Sequence, residues 1–383
     1  MTTYLFRVLS YSGIILIILF QAGCTDIKET QDMNYATAIG VDFKDEKFHC
    51  YIQLVDLTKV AKTEGPNPGP AKMWVSEAEG DTFIDAFFDI YRTSQERFIW
   101  AHVTAIVMSE SAIEQGEKAV IDGLTRYHEF RLTPWVYGTR DPIKDILSTP
   151  GFYGQTSLNT ILHHPMSTFH QSSQYKPLQF FKYTRQLYEP NFTAYLPSLS
   201  INDTQWEEGK KPEPKLTING AFFVHNQHFK GFYPEGDLKG LRWLLPKMER
   251  IEMLIPNEAG REFLAVLANP KVTYKVNGSK IDVQVETKGS LSNRETNKTT
   301  NLKKMKKMTE SAIKKEIQEL YELGLAENID FLNLKHVQYQ KNGKLINRNK
   351  HQGQVELNSI KVNVKFIHSG ALKNRLIELD SQK

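Results

Sequence analysis

The first 24 residues constrain this chain more than any later stretch. Met1 to Gly23 contain no acidic residue and a single base, Arg7. An apolar run spans Val8 to Phe20, centred on Ile14-Ile15-Leu16-Ile17-Ile18-Leu19-Phe20. About 13 residues of helix cover only about 20 Å, short of the roughly 30 Å hydrocarbon layer. The segment therefore reads as a cleavable leader, residues 1–23, rather than a spanning helix. The remainder contains no apolar run of comparable length. The folded body is thus expected outside the membrane.

Gln21-Ala22-Gly23-Cys24 follows the apolar run. Two small residues before a cysteine resemble a bacterial lipobox. Small side chains let a peptidase approach the backbone, and the thiol takes up a diacylglyceryl group. Cys24 is the expected lipid-attachment site, S-diacylglyceryl and N-acylated with palmitate-type chains. Gln21 departs from the usual Leu. One acyl chain binds a bilayer only marginally, whereas two or three hold stably. The chain has two cysteines, which excludes a disulfide framework. Once Cys24 is lipidated, Cys50 has no partner.

The body reads as α+β. Lys and Arg number 48 against 44 Asp and Glu, a net charge of +4, with 40% hydrophobic residues. These are globular values that do not announce nucleic-acid binding. Thr37 to Asp42 reads as a strand and Lys44 to Lys47 as a turn. Phe48, Cys50, Ile52 and Leu54 then alternate with His49, Tyr51 and Gln53, which predicts a hairpin with Cys50 on the apolar face. Gly65-Pro66-Asn67-Pro68-Gly69-Pro70 is a loop. Thr82-x-x-Asp85 predicts a capped helix. A strand is expected over 103–108, a helix capped by Ser109, a strand over 132–137, and a helix beginning at Asp141-Pro142. Residues 151–200 read as aromatic and polar, with helices near Leu158 and Leu178.

Residues 202–215 form a polar linker or long loop. Strands are expected over 216–224 and 229–232, then a helix over 235–245 stopped by Pro246. Asn277-Gly278 between two alternating runs predicts another hairpin. A long helix over 302–323 precedes a last strand at Ile360, Val362, Val364 and Phe366. The divisions are a leader, 1–23; an N-terminal region, 24–201, read as one unit or as subdomains 24–150 and 151–201; a linker, 202–215; and a C-terminal domain, 216–383. The fold class is α+β: a multidomain, three-part mixed α/β body with antiparallel sheets and a long C-terminal-domain helix.

Chemistry is mostly missing from the sequence. It contains no phosphate-binding Gly-x-x-x-x-Gly-Lys-Ser/Thr, no Gly-x-Gly-x-x-Gly, no Gly-x-Ser-x-Gly and no His-Glu-x-x-His, so neither a catalytic residue nor a cofactor is assigned. His163, His164 and His170 fit no standard metal spacing and read as solvated loop residues; no metal is expected. Seven lysines and one acid, Glu310, lie between Lys298 and Lys315. They read as the solvated face of an amphipathic helix, or as a surface drawn to anionic lipid. With no aromatic platform beside them, nucleic acid is not an expected partner.

One ordered set of short motifs remains. It runs Ala38-Ile39-Gly40-Val41-Asp42, Glu79-Gly80-Asp81-Thr82, Ala101-His102, Arg126, Arg131-Leu132, Pro134-Trp135-Val136, Leu196-Pro197 and Asn219-Gly220-Ala221-Phe222-Phe223. Lys230-Gly231, Gly240-Leu241-Arg242-Trp243, Asp330-Phe331 and Ile367-His368-Ser369-Gly370 complete it. In this order the chain resembles the Ger(x)C lipoproteins, the C subunits of bacterial spore germinant receptors. Thr25, where many members carry Trp, is a departure. The resemblance implies a three-domain α/β body tethered at the outer face of the spore inner membrane. It implies partnership with integral-membrane A and B subunits and no enzymatic residues, leaving Cys24 as the one site carried over. Gly80 and Gly220 read as turns or close approaches, and His102 as a core or edge residue. A solute-binding lipoprotein of a transporter is the competing reading. It would favour two similar lobes around a cleft.

Overall fold

The computed structural model describes residues 33–55, 73–127, 129–256, 262–293, 302–342 and 355–368, with three isolated positions near the N-terminus. Apart from those three positions the leader, and with it Cys24, the 65–70 loop and Ser369-Gly370, lie outside the described residues.

In chain order the elements are β1 (Met33–Lys44), β2 (Lys47–Val55), β3 (Met73–Gly80), α1 (Phe83–Asp89), β4 (Arg97–Ile99), β5 (Ala105–Ser109) and α2 (Glu117–Arg126). Next come β6 (Trp135–Thr139), α3 (Ile143–Ser148), α4 (Pro165–Gln171), α5 (Phe180–Tyr188) and β7 (Thr193–Asn202). A short hairpin, β8 (Glu207–Glu208) and β9 (Lys211–Pro212), leads to β10 (Lys215–His225) and β11 (His228–Pro234). A 3-10 segment, Glu235–Trp243, precedes β12 (Ile251–Pro256), β13 (Glu262–Asn277), β14 (Lys280–Asn293), α6 (Leu302–Ala326), α7 (Leu334–Asn342) and β15 (Glu356–His368).

Local chemistry explains the boundaries. Thr82 accepts a hydrogen bond from the Asp85 amide and starts α1. Ser109 accepts one from Ala112 N–H at 3.0 Å, where the helical path to α2 begins. Asp45 and Glu46 hold φ of 50° and 61°, and Asn226 and Gln227 hold 51° and 62°. These left-handed pairs give two-residue turns whose twist suits antiparallel strands. Between β13 and β14 the turn is Gly278 and Ser279, with Asn277 closing the ladder against Lys280. Gly80 serves a close approach: a Cβ there would lie 2.3 Å from the Ala86 amide. Gly220 sits where the β10 register shifts, and a Cβ would lie 2.3 Å from the Tyr233 carbonyl.

Nine strands form one sheet in the order β11-β10-β7-β6-β5-β1-β2-β3, with β4 paired beside β1. The middle strands β1, β5, β6 and β7 run parallel, and the outer ones antiparallel. Four further strands form a second sheet, β12-β13-β14-β15. Both sheets combine antiparallel and parallel pairs, within the mixed α/β body expected from the sequence. Helices carry the chain from one strand to a parallel neighbour, as α6 and α7 do between β14 and β15. The 202–215 stretch is a loop bearing the β8–β9 hairpin, and the strands on either side of it, β7 and β10, pair directly. The C-terminal segment from 216 thus contributes two strands to the large sheet.

Both faces of the large sheet are covered. One packs Ile39, Cys50, Ile52, Ile106, Met108, Val136 and Leu196 against Phe83 and Phe87 of α1, Val120 and Leu124 of α2, and Phe180 and Tyr183 of α5. The other packs Ala38, Tyr51, Val107 and Tyr137 against Ile143, Ile146 and Leu147 of α3. For that reason Tyr51 and Gln53, expected on a polar face, are buried. Gln53 lies in a closed polar network. Its amide donates to Leu147 O (2.5 Å) and Ser157 Oγ (2.7 Å), and its carbonyl oxygen accepts from Thr37 Oγ1 (2.7 Å).

The rest of the second face meets the smaller sheet and α6. Ala221 and Phe223 of β10 share one core with Ile281, Val283 and Val285 of β14 and Ile313, Ile317 and Leu320 of α6. The contact is fixed at Glu316, on the α6 face turned to the 3-10 segment. Its carboxylate takes Arg242 Nη2 at 2.8 Å and Trp243 Nε1 at 2.6 Å. Gly240 makes room, since a Cβ there would lie 2.4 Å from the Glu316 carbonyl. Both partners of the Arg242–Glu316 pair are only 14% exposed. Removing one partner of a buried pair strands the other and costs about 3–5 kcal/mol. Glu316→Ala is thus expected to destabilise the chain by about 3 kcal/mol in denaturant titrations. The Arg242→Ala/Glu316→Ala double variant should lose less than the sum of the two single losses.

Candidate functional site

A cleft of about 760 Å³ opens where the two sheets meet. Its floor is apolar: Tyr195 of β7, Phe223 of β10, Leu241, Tyr274 of β13 and Phe331. One wall is α5, with Lys182, Arg185 and Gln186, and Glu189 just past its C-terminal end. The opposite wall is α7, with His336, Val337 and Gln340, and the turn at Leu244 to Lys247 borders the opening. Lys176 enters from the segment before α5.

Each wall is pinned. The Asp330 carboxylate accepts from the amides of Leu334 (3.0 Å) and Lys335 (2.8 Å) and begins α7. Burial pushes the Asp330 carboxyl up, against the pull of these donors. Asn333 locks α7 to β7: its oxygen accepts from Thr193 N–H at 2.6 Å, and its amide donates to Thr193 O at 3.3 Å. His336 donates from Nδ1 to Pro190 O at 2.9 Å, and its Nε2 accepts from the Gln340 amide at 2.8 Å. Glu189 Oε1 lies 4.0 Å from the same Nε2.

On α5 the inward face is apolar, and Tyr183 donates a short hydrogen bond to Glu117. Burial raises the Glu117 carboxyl to about 7, although the tyrosine bond pulls the other way. Its folded value lies above its unfolded value of 4.5. Between these values the native state holds more protons than the unfolded chain, so stability falls as pH rises from about 4.5 to 7. A 2.5-unit shift corresponds to a contribution on the order of 3 kcal/mol. Glu117→Gln should flatten the stability–pH curve across that interval and be the more stable protein at pH 8, as read by denaturant midpoints.

The charges of the cleft are lopsided. Lys176, Lys182, Arg185 and Lys247 line it with Glu189 as the carboxylate. Among the described residues no acid lies within ion-pair distance of any of the four cations. Burial lowers the Lys176 ammonium, and the neighbouring charges of Lys182 and Lys247 lower it further. Lys182 rests over the Phe181 ring at 5.4 Å from its centroid. The sequence reading missed all four. Lys182 and Arg185, three residues apart on a helix, were the available local signal; Lys176 and Lys247 join them only through the tertiary fold.

The residues singled out from sequence lie elsewhere. Cys50 is fully buried, and burial pushes its thiol up. His163 is not solvated as expected. It is buried between Thr104 Oγ1 (2.6 Å) and Gln53 Oε1 (3.0 Å), and burial lowers its imidazole to about 3. The Gln53 carbonyl oxygen needs a donor, which calls for Nε2–H. His164 is exposed. His170 meets Glu249 at the surface. Among the described residues no three His, Cys, Asp or Glu side chains gather as a metal site. Arg126 pairs with Asp122 at 2.7 Å on the surface, and Arg131 is exposed. His102 stands edge-on to Tyr35 at 5.1 Å. Asp42 ends the first of the ordered motifs. Burial raises its carboxyl, but hydrogen bonds from Lys44, Ser109 and Ser111 outweigh this and hold it low.

The lysines of α6 form a solvated face. Met305, Ile313, Ile317 and Leu320 point inward, while Lys306 and Lys315 pair with Glu310 and Glu319, each at 3.6 Å. Among the described residues no helix is long and apolar enough to cross a membrane.

A mixed α/β body in which helices and a smaller sheet clothe a large one defines the class of protein. Comparison with known proteins then defines the family. Residues 26–201 match the spore germination protein N-terminal domain, and residues 218–370 match the spore germination B3/GerAC-like C-terminal domain. The chain belongs to this spore germination family. Among curated proteins it is 23% identical over 252 residues to YfkR of Bacillus subtilis (strain 168), a protein provisionally named for spore germination. That match covers 64% of each chain. It is 29% identical over 123 residues to spore germination protein KC of the same organism, covering 31% of this chain and 30% of that one. The matches thus span less than two thirds of either relative. The crystal structure of the GerBC protein shares the fold, with a TM-score of 0.52 and 12% identity over 86% of this chain and 96% of that one.

Proposed function

We propose that this chain is the lipoprotein C subunit of a spore nutrient germinant receptor. It acts with integral-membrane A and B subunits and is tethered through Cys24 to the outer face of the spore inner membrane. The observation that carries the reading is the match of both germination domains, in order, along nearly the whole body. The Cys24 leader supports the tether: an apolar run too short to span, two small residues and a thiol. In this role the body is a docking and coupling module, a reading supported by its cleft and its buried polar clamps.

Cys24→Ala should abolish acylation. Metabolic labelling with an alkynyl fatty acid should mark the wild-type chain and leave the variant unmarked. In a background stripped of other receptors, variant spores should respond weakly to nutrients, and the variant should be poorly retained in spore membranes. Equal labelling of both proteins overturns the attachment site. Co-purification from spore membranes without any integral-membrane companion overturns the subunit reading.

A further inference from the structure

We propose that the cleft between α5 and α7 binds an organic anion, a phosphate or carboxylate carried on an apolar body. The inference stands on the cleft alone and does not depend on the receptor reading.

Three observations carry it. First, the volume of about 760 Å³ lies within the roughly 300–1,000 Å³ usual for small-molecule sites. Second, Lys176, Lys182, Arg185 and Lys247 converge on it from three chain segments, with no carboxylate partner among the described residues. Glu189 alone among the lining residues opposes four cations and pairs with none of them at contact distance, so the excess positive charge repels itself and an anion relieves that cost. Third, the floor of Tyr195, Phe223, Tyr274 and Phe331 offers apolar area that inorganic phosphate cannot use. Gln186 refines the class: its side-chain oxygen is buried and accepts no hydrogen bond from a described residue. A ligand that also carries a hydroxyl or amide N–H would satisfy it.

The site is built on rigid parts. Asn333 and His336 fasten α7 to residues 190–193, and Tyr183–Glu117 fastens α5 to α2. The cleft is therefore formed before a ligand arrives, which lowers the ordering cost of binding.

The test is calorimetric titration of the full chain in phosphatidylcholine nanodiscs, with empty discs as the blank. Phenyl phosphate, phenylacetate, inorganic phosphate, benzyl alcohol and dihexanoyl phosphatidylglycerol are the probes. At least one of the two aromatic anions should bind with a dissociation constant below about 1 mM, and more tightly than inorganic phosphate or benzyl alcohol. Lys182→Glu/Lys247→Glu should weaken that binding about tenfold or more. Lys307→Glu/Lys314→Glu, the same charge change on the exposed face of α6, should leave it within about twofold. If circular dichroism shows the first variant misfolded, Lys182→Gln/Lys247→Gln carries the same comparison. Tighter binding of the short-chain lipid than of phenyl phosphate assigns the ligand to a lipid headgroup; the reverse order assigns it to a free metabolite. Absence of binding by every anion, or equal loss in both charge-reversal variants, overturns the proposal.

Discussion

The antiparallel ladder between β7 and β10 is the constraint on which the rest of the molecule depends. It runs from Asn202 opposite Lys215 to Thr193 opposite His225. Because strand side chains alternate, it serves two cores at once. Leu196 and Phe222 face α5 and the N-terminal helices, while Tyr195 and Phe223 face the smaller sheet. Shifting the register by one residue would exchange these sets and empty both cores. The ladder therefore joins the two halves, and it sets the floor of the cleft.

Polar groups inside the body act as fasteners. Glu316 holds Arg242 and Trp243, Gln53 closes a ring of Thr37, Ser157 and His163, and Glu117 receives Tyr183. Each sits where two elements must meet at one angle. Such groups are costly when half satisfied, so they reward a single arrangement. Surface pairs such as Lys315–Glu319 contribute little beside them. The same logic explains why Gly240-Leu241-Arg242-Trp243 reads as a motif: one glycine admits α6, and the next polar residues bind it.

Periodic segments were legible in the sequence. The β1–β2 hairpin, the Thr82 cap, the β13–β14 hairpin and α6 follow from alternation, capping chemistry and helical spacing. Six strands did not show themselves, and three of them, β4, β8 and β9, are only two or three residues long. The run 73–80 has no clean apolar alternation, and 251–256 is a short segment against a turn. β7 contains Pro197, which argues against a strand interior. The fold accommodates that proline by thinning the neighbouring ladder: β6 and β7 pair only at Gly138 and Ser198. The parallel pairing of β14 with β15 and the gathering of the four cleft cations depend on distant contacts that no local window contains.

The depth of Cys50 has a practical corollary. With its sulfur enclosed by the α1 side of the large sheet, a thiol reagent applied to the native protein can meet at most one other cysteine in the whole sequence. A maleimide dye thus becomes a reporter on the fate of the twenty-fourth residue: a bright molecule carries a bare sulfur there, and a dark one has had that position modified, while unfolding in urea lights up the second sulfur and counts the molecules present.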